Sequence, residues 1–370
     1  MTAAAAAGDA ADRPFAQRCF VASGRVPSVS GASIPRDHSV GEGSSSRSVL
    51  VTGAAGFIGS NLVEYLVRRG DRVRAFVRYN SRNDYGRLET CDASVMAEVE
   101  VFTGDLTNPE AVSGAVEGCE VVLHLGALVP IPYSYRHPRE FVAANVTGTL
   151  NVLEASRRAG VSRIVHLSSS EVYGTAMTVP IAESHPLHPQ SPYAATKVGA
   201  DQLALSYWHA FGTPVVVARP FNTFGPRQSA RAVIPTIISQ ALTRELIELG
   251  DTETTRDFVY VADTAAGINR CSEAPAVEGE TFNLGTGREF SIGEVANRVV
   301  QELDVDLPIV TDPDRLRPPG SEVMRLVADA SKANSALGWR AETTFEDGLR
   351  ETISWIKQFR SLYKAAIYNV

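Results

Sequence analysis

The chain has 370 residues, a formal net charge of −7 and 21% charged residues, enough for one large or two modest domains with a sizeable apolar core. The acidic balance excludes nucleic acid as the main partner, because that affinity rests on clustered Lys and Arg, although a basic pocket for an anionic metabolite remains compatible. No apolar run approaches the ~20 residues of a membrane span, and the four cysteines, Cys19, Cys91, Cys119 and Cys271, are scattered singly with no metal-ligand spacing, which suits a reducing cytoplasm and predicts no metal site.

Residues 1–46 are rich in Ala, Ser and Gly and lack apolar periodicity. They predict a disordered extension. A targeting signal fits less well, because no basic segment precedes an apolar stretch and Asp9, Asp12, Asp37 and Glu42 are interspersed.

From Ser48 onward β-branched runs alternate with amphipathic stretches, the pattern of βαβ units. Strands are predicted at Val49–Val51, Arg72–Val77, Glu98–Phe102, Glu120–Leu125, Arg163–Leu167 and Val215–Ala218. Helices are predicted at Asn61–Arg69, Ala111–Val116, Phe141–Ala159 and Tyr193–Phe211. The expectation is an α/β fold with a doubly wound parallel Rossmann sheet over residues 47–222. A smaller, mainly helical substrate lobe follows over 223–370, with helices Val233–Leu246 and Ile292–Leu303 and a segment near Asp257–Asp263 returning to the sheet domain.

Thr52-Gly53-Ala54-Ala55-Gly56-Phe57-Ile58-Gly59 follows the first strand and opens the first helix. Gly53 permits the tight turn, Gly56 lets backbone approach a pyrophosphate, Gly59 lets helix pack on strand, and the helix N-terminus at Phe57 and Ile58 favours phosphate charge. The competing reading is a glycine-rich turn without a ligand. The second strand ends in Phe76-Val77-Arg78-Tyr79-Asn80-Ser81-Arg82, without the carboxylate that binds the ribose of NAD. Arg78 and Arg82 can instead pair with a 2′-phosphate, which favours NADP over NAD. Asp105 and Leu106 are expected against the adenine, His124 to Ala127 (Leu125 and Ala127 above all) along the pyrophosphate and ribose, and Pro220 at a later strand end.

Tyr193 and Lys197 are four apart, on one face of one helix. A phenol is a poor base at its ordinary pKa of about 10, but a neighbouring ammonium and a nicotinamide charge both favour the phenolate. Leu167-Ser168-Ser169-Ser170-Glu171-Val172-Tyr173-Gly174 lies upstream at a strand end, where Ser169 can hydrogen-bond a substrate oxygen beside Tyr193.

The glycine turn, this serine–glutamate segment and the Tyr193/Lys197 pair resemble the extended short-chain dehydrogenase/reductase family from Ser48 to the C-terminus. Ile131-Pro132-Tyr133-Ser134-Tyr135, Pro220-Phe221-Asn222-Thr223, Ser229 to Pro235 and Leu362-Tyr363-Lys364 are most similar to nucleotide-sugar 4,6-dehydratases of the configuration-retaining UDP-N-acetylglucosamine, legionaminic-acid type. Gly86-Arg87-Leu88-Glu89 is similar to GDP-mannose 4,6-dehydratases, which use NADP. The resemblance implies a tightly bound NAD(P) and an internal redox reaction. Tyr193 deprotonates the 4-hydroxyl as hydride leaves C4, Glu171 removes the acidified C5 proton, and loss of the 6-hydroxyl gives an enone that takes the hydride back at C6. It also implies diphosphate-binding Arg256 and Arg317, a substrate amide at Asn222, further contacts from Arg231 and from Pro132, Tyr133 and Ser134, and a homodimer through the helices beginning near Phe141 and Tyr193.

Many 4,6-dehydratases carry aspartic acid where this chain has Ser170. Serine is too weak an acid to protonate the leaving hydroxyl, so that proton comes from Glu171, Tyr193 or water. The departure leaves open a 5,6-dehydratase of the tunicamycin type or a UDP-sugar 4-epimerase. A non-catalytic NAD(P) sensor fits less well, because Ser169, Glu171, Tyr193 and Lys197 occur together.

Overall fold

Val49 and Val51 face one way from the first strand and Leu50 the other; all three are buried, the two valines in one apolar cluster and Leu50 in another. Burial on both faces is what a strand inside a parallel sheet requires. The computed structural model describes residues 46–364. Apart from Ser46, the extension expected over residues 1–46 lies outside the described residues.

Strands β1 (Ser48–Thr52), β2 (Arg72–Arg78), β3 (Val99–Gly104), β4 (Val121–His124), β5 (Arg163–Leu167) and β6 (Val215–Pro220) follow the predicted series closely. Shorter strands follow: β7 (Asn222–Phe224), β8 (Ile247–Leu249), β9 (Thr255–Arg256), β10 (Phe258–Tyr260), β11 (Thr281–Leu284), β12 (Phe290–Ser291), β13 (Ile309–Thr311) and β14 (Arg325–Leu326). The main sheet has seven strands in the order β11-β6-β5-β4-β1-β2-β3, every neighbouring pair parallel. Helices Phe57–Arg68 and Val261–Glu273 cover one face, and Pro109–Val116, Gly148–Ala159 and Pro192–Phe211 the other. Each fully buried Val, Leu or Ile beneath them stabilises the fold by roughly 1.5–3 kcal/mol relative to exposure.

Several expected boundaries differ, and the helix expected at Asn61–Arg69 already begins at Phe57. The chain returns to the sheet over a longer stretch than Asp257–Asp263: β10 pairs with β7, helix Val261–Glu273 lies on the sheet, and β11 becomes its edge strand beside β6. Helix Phe141–Ala159 is interrupted: Pro138–Phe141 is helical, Val142–Thr147 is a π-helical turn, and regular helix resumes at Gly148. Helix Val233–Leu246 stops at Ala241, because Gln240 turns its side-chain amide to the backbone of Glu248 and ties the helix end to β8. The lobe holding β8, β12 and helices Val233–Ala241, Ile292–Leu303 and Phe345–Gln358 has its own core around Phe224, Ile237, Phe258 and Phe345.

Candidate active site

The site lies at the carboxyl ends of the strands. Gly53 turns the chain out of β1 at φ +69°, and a Cβ there would lie 2.8 Å from the amide nitrogen of Gly126, the exit of β4. A Cβ on Gly59 would lie 2.2 Å from the Gly53 carbonyl. Only glycine allows this contact between helix and turn. Helix Phe57–Arg68 begins with Gly56 in extended conformation, no side-chain cap and no acidic residue in its first turn. Its first amides and the positive end of its dipole therefore face the strand ends without a protein anion, which fits a pyrophosphate. The groups present fit a dinucleotide.

Along the adenosine side, Arg78 Nε lies 3.5 Å from Asp105 Oδ2, and Arg82 Nε lies 2.9 Å from Asp84 Oδ2. The Thr107 hydroxyl and amide, then Arg78, hold the Asp105 carboxyl below its ordinary pKa. Both arginines expected at a 2′-phosphate thus have carboxylate partners. Leu106 fills the space a Cβ on Gly126 would need and accepts from Asn151 Nδ2 through its carbonyl at 2.8 Å.

His124, expected along the pyrophosphate with Leu125 and Ala127, turns into the core and is 2% exposed. Gly126 N donates to Thr52 Oγ1 (3.1 Å), which lies 2.7 Å from His124 Nδ1, and His124 Nε2 lies 3.0 Å from Thr149 Oγ1, whose hydroxyl donates to the Asn145 carbonyl. These partners define a neutral ring protonated at Nε2. Burial likewise holds its pKa well below the ordinary value. In the π-helical turn, Asn145 accepts from Leu128 N and donates to Leu128 O and Thr196 Oγ1. A continuous polar chain thus ties the β1–β4 exits to the helix bearing Tyr193. A lone buried asparagine has no sequence pattern that would have singled it out.

Ser191 caps helix Pro192–Phe211 by accepting from Ala194 N, which places Tyr193 in the first turn and Lys197 one turn on. Tyr193 is 5% exposed and packs edge-on against Phe141, ring centroids 6.3 Å apart. Burial, the dominant cause, pushes its phenol well above the ordinary pKa; the Ser169 hydroxyl draws it back, and the charges of Glu171 and Asp201 push it further. Lys197 is not among the groups that shift the phenol, so the lowering expected from its ammonium is not found. The ammonium is turned to the Leu167 carbonyl at 2.5 Å, and burial lowers its pKa to about 8, against the upward pull of Asp201.

Ser169 caps the short 3₁₀ helix Ser170–Tyr173, accepting from Glu171 N at 3.2 Å. Ser170 is buried at 3% exposure, while Glu171 is half-buried. The charge of Glu171 acts on Tyr193 and on Arg256, so the structure brings these three groups together. Arg256 is 5% exposed and donates to Glu322 Oε1 at 3.3 Å; Arg317 Nη1 lies 3.6 Å from the same oxygen. Burial is the main cause lowering the pKa of Arg256, which remains charged. Asn222 is held by its backbone amide to the Asp257 carbonyl (2.9 Å), next to Arg256, and its Oδ1 is buried without a hydrogen-bond partner. Pro220 ends β6 and is buried opposite Leu284 of β11.

The remaining expected contacts are less convergent. Arg231 is exposed. Pro132 lies in helix Ile131–Arg136, where the Ser134 hydroxyl is spent on the Ile131 carbonyl (2.6 Å) and Tyr133 donates outward to Glu140 (2.8 Å). Tyr135, 2.6 Å from the Ser321 hydroxyl, instead connects this helix to the Arg317–Glu322 segment. Like Asn145, Glu322 and Tyr135 are residues that sequence reasoning did not single out for a role. Among the described residues, no cluster of His, Cys, Asp or Glu could hold a metal, and no helix is long and apolar enough to cross a membrane.

A dinucleotide turn and a buried tyrosine–lysine helix on one parallel sheet mark an extended short-chain dehydrogenase/reductase enzyme. Within that class the chain belongs to the family described as GDP-mannose 4,6 dehydratase, whose model matches residues 50–352. It is 33% identical over 323 residues to a dTDP-glucose 4,6-dehydratase of Actinoplanes sp., covering 85% of this chain and 98% of the relative. It is also 33% identical over 315 residues to a UDP-glucose 4-epimerase of Mycolicibacterium smegmatis, covering 83% and 98%. Among solved structures, the dTDP-glucose 4,6-dehydratase DesIV from Streptomyces venezuelae, with NAD bound, superposes with a TM-score of 0.76 at 29% identity, covering 85% of this chain and 98% of that one. The family thus comprises nucleotide-sugar dehydratases and epimerases.

Proposed function

We propose that the chain is a nucleotide-sugar 4,6-dehydratase acting on UDP-N-acetylglucosamine to give a UDP-4-keto-6-deoxy sugar. The observation that carries this reading is Glu171, half-buried in the 3₁₀ turn that Ser169 caps and near enough for its charge to bear on both Tyr193 and Arg256. A carboxylate within reach of the group that handles the 4-hydroxyl and of the group that holds the diphosphate is suited to take a proton from C5. Tyr193, as the phenolate that the positive charge of a bound nicotinamide would favour over the effect of burial, would draw the proton of the 4-hydroxyl, with Ser169 orienting that oxygen. Glu171, once protonated, gives that proton to the departing 6-hydroxyl, because the buried Ser170 is no acid, and C5, left as an enolate carbon once C6 is reduced, takes its new proton from water. Arg256 and Arg317 grip the diphosphate, with Asn222 next to Arg256, while contacts from Arg231, Pro132, Tyr133 and Ser134 rest on the family resemblance alone.

When bound on Gly53, Gly56, Phe57, Ile58 and Gly59, alongside Leu106, Leu125, Ala127 and Pro220, a nicotinamide dinucleotide supplies reversible hydride storage between C4 and C6. The ion pairs of Arg78 and Arg82 favour NAD, against the NADP preference that the arginines alone suggest, because Asp105 would repel a 2′-phosphate. NAD bound in the DesIV structure supports the same choice. A homodimer is supported by Val142, Leu150 and Phe211, exposed at 51%, 37% and 58% on the helices expected to pair. The nucleotide-linked substrate fits the cytoplasm.

The test is incubation with UDP-N-acetylglucosamine in deuterated water, followed by NMR. A 4-keto-6-deoxy sugar labelled at C5 is expected, and Glu171→Gln should bind substrate yet lose elimination. An unlabelled C4 epimer would replace this reading with the 4-epimerase, which the UDP-glucose 4-epimerase relative favours. An exocyclic alkene would replace it with the 5,6-dehydratase, and absence of turnover with UDP-, GDP- and dTDP-hexoses with the sensor.

A further inference from the structure

Tyr193, Lys197 and Asp201 follow one another at intervals of four along helix Pro192–Phe211, so all three lie on one face. Asp201 is 0% exposed. Its Oδ2 accepts from Ser168 Oγ at 2.7 Å and from Arg219 Nε and Nη2 at 3.2 and 3.0 Å, and its Oδ1 lies 3.2 Å from His166 Nε2. Arg219 in turn donates to the Tyr173 hydroxyl at 3.0 Å, and Tyr173 to Asn283 Oδ1 at 2.8 Å. None of these groups has a role in the chemistry proposed above. A buried carboxylate costs several kcal/mol unless it is paired, and a hydrophobic residue could fill the place.

We propose that Asp201 is a positioning residue for the Tyr193–Lys197 pair, a buried fixed charge that governs how tightly both groups hold their protons and so sets the pH window of turnover. The inference rests on the Tyr193–Lys197 reading above. The charge reaches both groups through an interior with little water to screen it. It favours the ammonium of Lys197 and opposes ionisation of Tyr193. The other titratable groups facing Lys197 do not counter it. His166 on β5 and His124 on β4 are kept neutral by burial, and Arg219 on β6 is engaged with Asp201 itself. Glu171, from the 3₁₀ turn, acts on Tyr193 in the same sense as Asp201. Against burial, His166 and then Arg219 bring the carboxyl of Asp201 below its ordinary pKa, and the Ser168 hydroxyl donates to it as well.

The sign follows directly. Removing the charge makes Lys197 lose its proton at lower pH and lets Tyr193 ionise at lower pH, so both limbs of the activity profile move the same way. The experiment compares Asp201→Asn with the wild type, using kcat against pH on the NAD-loaded full chain and an NMR titration of the chain labelled at lysine. Lys197 is one of only four lysines, so its resonance is assignable by its absence in Lys197→Arg. The Lys197 titration and both limbs should move to lower pH, by up to about 1 unit at Lys197 and by less at Tyr193, which lies a turn further along the helix from Asp201. Asp201→Asn leaves Arg219 unpaired and can fail to fold. The double variant Asp201→Asn/Arg219→Gln removes both charges and should shift the same way by less. A kcat lowered equally at every pH, with the Lys197 titration unmoved, would make Asp201 a purely structural residue and overturn the proposal. If no nucleotide sugar is turned over by the wild type, the functional reading fails instead, and the lysine titration still decides the electrostatic claim.

Discussion

Arg227 offers a sharp test of how the two lobes are held around the cleft. It sits at φ +71° in the turn after β7, is 7% exposed, and forms a buried ion pair with Glu64 of helix Phe57–Arg68, itself 6% exposed. Asn61 reinforces the contact by donating to the Pro226 carbonyl at 3.2 Å. One pair thus fastens the helix that begins the dinucleotide cradle to the turn between Asn222 and Arg231. Arg227→Met removes one partner of a buried pair, which ordinarily costs about 3–5 kcal/mol. Glu64 keeps a second partner, Arg68 at 2.6 Å, so a loss of about 2–3 kcal/mol is expected. Burial pushes the Glu64 carboxyl up, but Arg227 and then Arg68 together bring it below its ordinary value. A depressed folded-state pKa contributes stability above the unfolded carboxylate value of about 4.3 and loses it as pH falls through the folded value. The difference between variant and wild type should therefore be largest at neutral pH and shrink below about pH 4. Urea unfolding at both pH values measures this, and the KM for substrate should rise as the Asn222–Arg231 turn loosens. In Arg227→Met/Glu64→Gln most of the lost stability should return, because no buried charge is left unpaired. A single variant within ~0.5 kcal/mol of wild type, or a double variant no better than the single, would refute the argument.

Two further outcomes follow from the cofactor side. Gly59→Ala drives a Cβ to 2.2 Å from the Gly53 carbonyl, so it should lower stability by about 1–3 kcal/mol and NAD affinity by at least about tenfold; unchanged calorimetric binding would mean that the turn does not bear on the cofactor. Arg78→Ala breaks an ion pair whose arginine is 80% exposed, and such pairs contribute about 0–1 kcal/mol. NAD affinity should therefore stay within about threefold, while a selective collapse of NADP binding would restore the 2′-phosphate role to Arg78.

Much of the architecture is legible from local pattern. All six predicted strands match observed ones to within two residues at each end, β3 and β6 running two residues further, because unbroken β-branched runs between amphipathic stretches leave little choice but a parallel sheet. The glycine spacing and the Tyr193/Lys197 interval are equally local, since a turn's φ and a helix's face are properties of a few consecutive residues. The return of β11 to the sheet edge was missed because Thr281–Leu284 is a short run, and nothing in it says which strand it will pair with.

What the chain alone determined is the set of reactive groups and the order of the elements carrying them. What only the tertiary structure decided is their electrical condition. Tyr193 holds its proton more tightly than its neighbour in sequence suggests, and His124 serves the core rather than a phosphate. Arg78 meets a carboxylate donated by another strand, and Asp201 pairs with Arg219 across a layer of the fold. Proton affinity depends on burial and on charges within a few ångströms, and those distances exist only after segments far apart in the chain have packed together.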